Sequence, residues 1–320
     1  MPESKLHQID DYPYLSKMSS LDANRVIQYV AEFDPVIWGE KEVAEKLSPQ
    51  LRSPMERFEG EYMAVYDNWK ATEHINNTTD LFSEQVRVRC NFKKFASPLS
   101  YWNSNKARIL AKIKRTNIHA LREYIYSNTK LCNNFRITVA IAILRMFKPK
   151  KWLDISAGWG DRLLAAVLYG VECYVAADPN LDLQPCYNNI IQTFIPVQNR
   201  SNFVIYPTGF EIAPIPDKKF DLVFSSPPFF DLEQYSKHPD DSLQYNTESE
   251  WCSKFLWPSL MKAYMLLKRN GHMILYMTGS PKVMAYLKKL DDIMKYKGAI
   301  YYIDSKPRAM YVWQKTILAK

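Results

Sequence analysis

From about residue 150 onward, short apolar runs alternate with longer stretches of helical period. Trp152 to Ile155, Cys173 to Ala177, Phe203 to Tyr206, Phe220 to Phe224, Met273 to Met277, Ile300 to Ile303 and Met310 to Trp313 are short and largely apolar, which predicts strands. Asp161 to Tyr169, Leu181 to Phe194, Ser249 to Leu267 and Lys282 to Leu290 lie between them and predict helices. Strands alternating with helices build an α/β fold with a mostly parallel sheet covered on both faces. The last two strand runs are split only by the stretch containing Ser305-Lys306-Pro307, short enough for a terminal antiparallel hairpin. Ligands of such a sheet gather at the carboxyl ends of its strands.

Before residue 150 the pattern is helical, and no run alternates long enough to predict a strand. Leu21, Arg25-Val26, Tyr29-Val30 and Phe33 recur at three- and four-residue steps, with Asp22 as an early acid and Pro35 as a stop. Gly39 to Leu47 predicts a second helix. Met55 to His74 predicts a third, with Phe58, Tyr62, Val65, Tyr66 and Trp69 on one face as core. The stretch Arg87 to Arg122 differs in kind. It carries Arg87, Arg89, Lys93, Lys94, Lys106, Arg108, Lys112, Lys114, Arg115 and Arg122 among Phe92, Phe95, Tyr101 and Trp102, and acids to balance the charge are missing locally. Such a mixture suits phosphate contacts beside stacking surfaces, with Lys93, Lys94, Lys106, Arg108, Lys112 and Arg115 as the candidates. A helix from Asn103 to Tyr126 with one solvated basic face would also account for it.

The net charge of +8 favours a polyanionic partner slightly, although spread over 320 residues it also fits a solvated surface. The five cysteines, Cys90, Cys132, Cys173, Cys186 and Cys252, form no CxxC pair and read as reduced thiols of an intracellular protein, cytoplasmic or nuclear. The five histidines add no metal-ligand pattern. No basic leader precedes an apolar core at the N-terminus, and no run approaches the roughly eighteen apolar residues of a membrane span.

Two strings carry chemistry. The first is Asp154–Arg162, DISAGWGDR, lying between a predicted strand and helix. Gly158 and Gly160 suit a backbone that must turn tightly and admit a ligand, and Asp154 suits acceptance from a ligand ammonium or from loop amides. Asp178-Pro179 follows the next predicted strand, where a carboxylate can hold both hydroxyls of a ribose. Dinucleotides and S-adenosylmethionine share this geometry. A dinucleotide loop wants a third glycine where this chain has Leu163; a strand-end acid followed by such a loop without the third glycine resembles the methionine-binding loop of the S-adenosylmethionine-dependent methyltransferases, and that resemblance implies S-adenosylmethionine as cofactor, held by Asp154, Ser156, Ala157, Gly158, Gly160, Asp178 and Pro179.

The second string is FDLVFSSPPFF, a strand ending in Ser226-Pro227-Pro228-Phe229. By itself it reads equally as a strand followed by a turn. With the glycine loop and Asp178 upstream, it resembles the [D/N/S]-PP-[Y/F/W] motif of the S-adenosylmethionine-dependent methyltransferases that act on exocyclic amino groups of DNA bases. The resemblance covers about residues 130 to 316 and is closest to members from phages and large DNA viruses. It implies a Rossmann-like class I methyltransferase sheet over 131–320, joined to a mainly helical, basic region over 1–130 available for nucleic-acid recognition. It implies that Ser226 and the Pro227 carbonyl accept hydrogen bonds from the amine N–H groups and that Phe229 stacks on the base, with Pro228 stiffening the turn. Asn134 and Phe135 occupy the place of the segment beside the cofactor's methionine end, and Gly209 and Phe210 that of the motif bordering its adenine. Adenine N6 in DNA is the first expectation; Ser226 keeps cytosine N4 open, and RNA adenine is a further possibility. A catalytically silent nucleic-acid-binding subunit is the alternative of another class. Asp231 to Asn246 suits a loop closing over substrate or a plain surface loop, and Trp251 and Phe255 read as core.

Overall fold

The computed structural model of the chain describes residues 11–15, 23–33, 36–38, 64–66, 75–93, 95–230, 233–235, 245–277, 280–303 and 307–316. Among them, nine strands form one sheet: β1 (Val36–Trp38), β2 (Ala64–Tyr66), β4 (Lys151–Asp154), β5 (Cys173–Ala177), β6 (Phe203–Tyr206), β7 (Phe220–Ser225), β9 (Leu267–Tyr276), β10 (Lys295–Ile303) and β11 (Pro307–Gln314). A small pair, β3 (Asn91–Phe92) and β8 (Glu233–Gln234), lies apart from it. The order across the large sheet is β1-β2-β10-β11-β9-β7-β4-β5-β6. From β6 to β9 neighbours run parallel, whereas β11 is antiparallel to both β9 and β10. This is a mostly parallel α/β sheet with a terminal antiparallel pair, as the sequence pattern predicts.

After β4 the chain moves outward to β5 and β6, then returns to the other side of β4 for β7 and continues to β9. Connections leaving β4 and β7 therefore diverge, and a crevice opens between their carboxyl ends. DISAGWGDR follows β4 and SPPF follows β7, so the two strings meet at that crevice.

The core explains why these strands were legible. All five residues of β5 are buried, as are Trp152 to Asp154 of β4, because helices cover both faces. Trp152 stacks on Phe224 with centroids 5.5 Å apart, and its Nε1 donates to the Phe224 carbonyl at 2.8 Å, tying β4 to β7. Helix α6 (Asp161–Tyr169) starts after Gly160 and ends at Gly170, both left-handed at φ 96° and 87°. Other helices used below are α1 (Ala23–Glu32), α2 (Asp80–Arg87), α3 (Pro98–Leu110), α4 (Ile118–Ser127), α5 (Ile137–Phe147) and α7 (Gln184–Phe194).

Several expectations need correction. Val65 and Tyr66, read as part of a helical face, lie on β2, which pairs parallel with Tyr301–Ile303 of β10; β1 pairs antiparallel with β2. Strands of three residues are too short to show alternation. The helix read from Asn103 to Tyr126 is two helices, α3 and α4, the second capped where Asn117 Oδ1 accepts from the Ala120 amide at 3.1 Å. Cys90 and Cys132, expected as reduced thiols, form a disulfide with Cα atoms 6.4 Å apart; 42 positions separate them, so local spacing carries no hint of it. Cys173, Cys186 and Cys252 are free and buried. The helix read over Gly39 to Leu47, residues 231–232 and 236–244 of the expected closing loop, and Lys94 lie outside the described residues.

Candidate active site

Asp154 ends β4 completely buried and is the anchor of the loop that follows. Its Oδ2 accepts from Arg162 Nε and from the Tyr174 hydroxyl, each at 2.8 Å, and its Oδ1 accepts from the Ser156 amide at 3.2 Å. Arg162 also donates to the Ser156 carbonyl, and its guanidinium lies over the Phe135 ring at 5.3 Å. The carboxylate thus fixes the shape of the loop from beneath and does not line the cavity above it.

The loop turns at Gly158, whose φ of 61° suits a residue without Cβ, and its amide donates to Asp178 Oδ2 at 2.8 Å. The second oxygen of Asp178 accepts from the Asn180 amide at 3.0 Å, so two strand ends share one carboxylate. Ala157 donates to the Ala177 carbonyl at 2.9 Å behind the loop. At Gly160 an added Cβ would stand 3.0 Å from Ile190 Cδ1 of α7, so this glycine serves close helix packing.

Ser156 joins the two strings. Its hydroxyl donates to the Ser226 carbonyl at 2.9 Å, and its amide approaches Ser225 Oγ at 3.3 Å. Above them lies a cavity of about 440 Å³ walled by Asn134, Phe135, Ser156, Gly158, Asp178, Pro179, Gly209, Phe210 and the whole of Ser226 to Phe229. Asp154, Ala157 and Gly160 are the candidate cofactor residues not on its wall. Phe135, Phe229 and Tyr276 form an aromatic side: Tyr276 meets Phe135 edge-on at 5.6 Å and Phe229 at 6.5 Å. Phe210 is buried, with Lys262 Nζ 5.5 Å from its ring and donating to its carbonyl at 2.9 Å.

Sequence reasoning missed several wall residues. Tyr276 ends β9, Arg308 is the second residue of β11, and Phe92 arrives because β3 pairs with β8, which lies later in the chain than the SPPF segment. Phe255, read as core, also reaches the wall, whereas Trp251 is fully buried against it at 5.7 Å. Only Phe92 had a local signal, as one aromatic of the basic stretch.

A buried polar cluster stands behind Asn134. Arg87 donates to Asp80 through Nε at 3.1 Å and through Nη2 at 2.7 and 2.6 Å, and Arg122 Nη1 pairs with Glu84 at 2.8 Å. Asn134 Nδ2 donates to Asp80 Oδ1 at 2.9 Å, so the cluster sets the Asn134 amide at the wall. The surface candidates behave differently. Lys106 and Arg115 both pair with Asp11, which supplies the acid their own stretch lacks; Arg108 Nη2 donates to the Tyr101 hydroxyl at 3.2 Å, and Lys93 and Lys112 are exposed.

Asp161, the first residue of α6, also lines the cavity and is fully buried in its wall. Burial pushes its carboxyl up to about 7, aided by the Asp80 charge and opposed by a Thr79 hydrogen bond and by Arg87 and Arg162. Because the folded value lies above the unfolded one, its contribution to stability is full below about pH 4 and is lost as pH rises through 7. Asp161→Asn is therefore expected to stabilise the protein at pH 8, by at most roughly 4 kcal/mol, and to change little at pH 4. Denaturant titrations at the two pH values check this, and an equal effect at both would refute it.

No protein-family model and no curated protein matches the chain. Solved structures do resemble it. TrmN from Thermus thermophilus is 18% identical with a TM-score of 0.42, over 57% of this chain and 49% of that one. A SAM-dependent O-methyltransferase from Thermotoga maritima is 13% identical with a TM-score of 0.41, over 61% and 71%. A putative RNA methyltransferase from Pyrococcus horikoshii is 16% identical with a TM-score of 0.35, over 57% and 83%. The match spans about half the length of the TrmN chain, and these likenesses concern the fold alone.

Proposed function

We propose that the chain transfers a methyl group from S-adenosylmethionine to an exocyclic amino nitrogen of a nucleic-acid base, with adenine N6 in DNA as first candidate. The observation that carries this reading is the Ser156 hydroxyl bonded to the Ser226 carbonyl, which makes the glycine loop and the SPPF turn one site at the β4/β7 crevice.

The residues present fit the cofactor. The cavity lies in the range of small-ligand sites, Asp178 directly follows β5 and is bonded to the amide of Gly158, which has no Cβ, and the buried Phe210 offers an aromatic border. Asp178, Pro179, Gly158, Gly209 and Phe210 would hold the nucleoside part; Ser156, Asn134 and Phe135 would hold the amino-acid part. When bound, S-adenosylmethionine supplies an electrophilic methyl group on a sulfonium centre. A base amine is a weak nucleophile because its lone pair is delocalised into the ring. Ser226 Oγ and the Pro227 carbonyl would accept hydrogen bonds from its two N–H groups and draw the nitrogen toward tetrahedral geometry. Each proline fixes its own φ and offers no N–H, so the turn keeps its carbonyls oriented. Phe229, braced by Tyr276, would stack on a base flipped out of the helix. Residues 131–320 would form the transfer domain. Residues 1–130 would grip nucleic acid, with Lys93, Lys106, Arg108, Lys112 and Arg115 contacting phosphates.

The second reading, cytosine N4, rests on Ser226, whose neutral hydroxyl accepts a hydrogen bond without a charge to assist proton loss. Incubation with labelled cofactor and DNA or RNA, digestion to nucleosides and mass identification decide among the bases. N6-methyladenine from DNA is expected. N4-methylcytosine, or methyladenine from RNA alone, would replace it, and cofactor binding without transfer to any nucleic acid would leave a silent binding subunit.

A further inference from the structure

Asp154 is the acid that the loop sequence offers to a ligand ammonium, yet it stands beneath the loop, bonded to Arg162, Tyr174 and the Ser156 amide, and has no place on the cavity wall. The wall supplies other carboxylates. Asp178 accepts from the amides of Gly158 and Asn180, and Glu233 is held by Tyr235 and by the backbone of Asn133. Asp161 differs from both: it is 2% exposed, it lines the cavity, and its Oδ1 accepts no hydrogen bond from the protein. The cations around it are committed elsewhere, Arg162 to Asp154 and the Ser156 carbonyl, Arg87 to Asp80 and the Cys132 carbonyl. Asn134 Oδ1 is a second buried wall atom of this kind, its amide oriented by Nδ2, which donates to Asp80. Among the described residues, both buried wall atoms without a hydrogen bond are thus acceptors. Buried acceptors call for a donor. The neighbours of Asp161 also belong to the Asn134–Phe135 side of the cavity: Asp80 holds Asn134, and the Arg162 guanidinium lies over Phe135.

We infer that the Asp161 carboxylate receives the α-ammonium group of S-adenosylmethionine, in the role for which Asp154 is not available. An ammonium brings three N–H donors and one positive charge, and a carboxylate shielded from water is their strong partner. Burial holds the Asp161 carboxyl up to about 7, and an ammonium bound beside it favours the ionised form. The inference rests on the cofactor reading above and adds to it the residue that recognises the amino-acid end.

Calorimetry on the full chain tests this with S-adenosylmethionine, S-adenosylhomocysteine and the homocysteine analogue in which hydrogen replaces the α-amino group. The wild type is expected to bind S-adenosylhomocysteine about 30-fold more tightly than the desamino analogue, as suits a hydrogen bond between charged groups. In Asp161→Asn, which keeps the shape of the side chain, that preference should shrink to within about threefold while affinity for the desamino analogue does not fall. Between pH 7 and pH 5 the wild type should lose S-adenosylhomocysteine affinity by more than about tenfold as Asp161 gains its proton, and the variant much less. The groups that face Asp161, namely Thr79, Asp80 and Arg87 at α2 and Arg162 of α6, are common to both proteins and cancel in that comparison. An undiminished preference in the variant would overturn the inference, as would a parallel loss of both homocysteine compounds, which would make Asp161 a support of the loop. A loss confined to S-adenosylmethionine would assign the charge to the sulfonium and overturn it as well. Equal binding of the two homocysteine compounds by the wild type would overturn the inference alone, whereas a wild type that binds none of the three would overturn the cofactor reading with it, so the two failures are distinguishable.

Discussion

Arg162→Met is expected to cost about 3–5 kcal/mol of folding stability and to abolish cofactor binding. Asp154 has no exposure, and Arg162 is its cationic partner at 2.8 Å. Methionine keeps much of the side-chain volume but leaves a buried carboxylate with only the Tyr174 hydroxyl and the Ser156 amide. The same arginine holds the Ser156 carbonyl, so the loop loses its support at two points. Removing both charges should be milder, because the penalty comes from the uncompensated ion and not from the missing attraction. Asp154→Asn/Arg162→Met should therefore recover much of the lost stability while the loop stays misshapen. Urea titrations of the wild type, both single variants and the double variant measure the coupling, and additive losses would contradict it.

How much was legible follows from where each residue's constraint lies. Strands such as Cys173–Ala177 are covered on both faces and read as continuous apolar runs, so they announce themselves over a few residues. Helix α5 is the opposite case: Ile137 to Leu144 are all buried, the polar face that would mark a helical period is absent, and the pattern has no stripe to reveal. Strands β1 and β2 are too short for alternation; β2 is placed by its pairing with β10, and the edge strand β1 by its pairing with β2. At the site, Gly158 and the Pro227-Pro228 pair were visible because backbone geometry demands particular residue types. Tyr276, Arg308 and Phe92 reach the cavity through pairing of remote strands, which no spacing along the chain encodes. Asp11 shows the same effect in charge: Arg115 lies 104 positions away, so the apparent absence of acids around the basic stretch was a property of the window and not of the folded surface.

Phe229→Ala is expected to lower methyl transfer by about 100-fold while cofactor affinity stays close to that of the wild type. Base stacking on an aromatic side chain is worth about 1–3 kcal/mol, which corresponds to roughly 5- to 150-fold, and truncation also leaves the base amine free to drift from its acceptors. The ring lines the cavity and meets Tyr276 at 6.5 Å, whereas Asp178 and Phe210 border the cavity from other segments of the chain. The alanine variant should therefore separate the two halves of the site. Phe229→Tyr keeps the ring face and should retain transfer within about tenfold, because stacking is tolerant of ring substituents. Calorimetry with S-adenosylmethionine alone, alongside kcat/KM for labelled transfer, distinguishes the outcomes. Transfer lost with cofactor affinity intact places the base at Phe229. Parallel loss of both would mean that the ring serves the fold of the β7 turn, and undiminished transfer would remove Phe229 from the site.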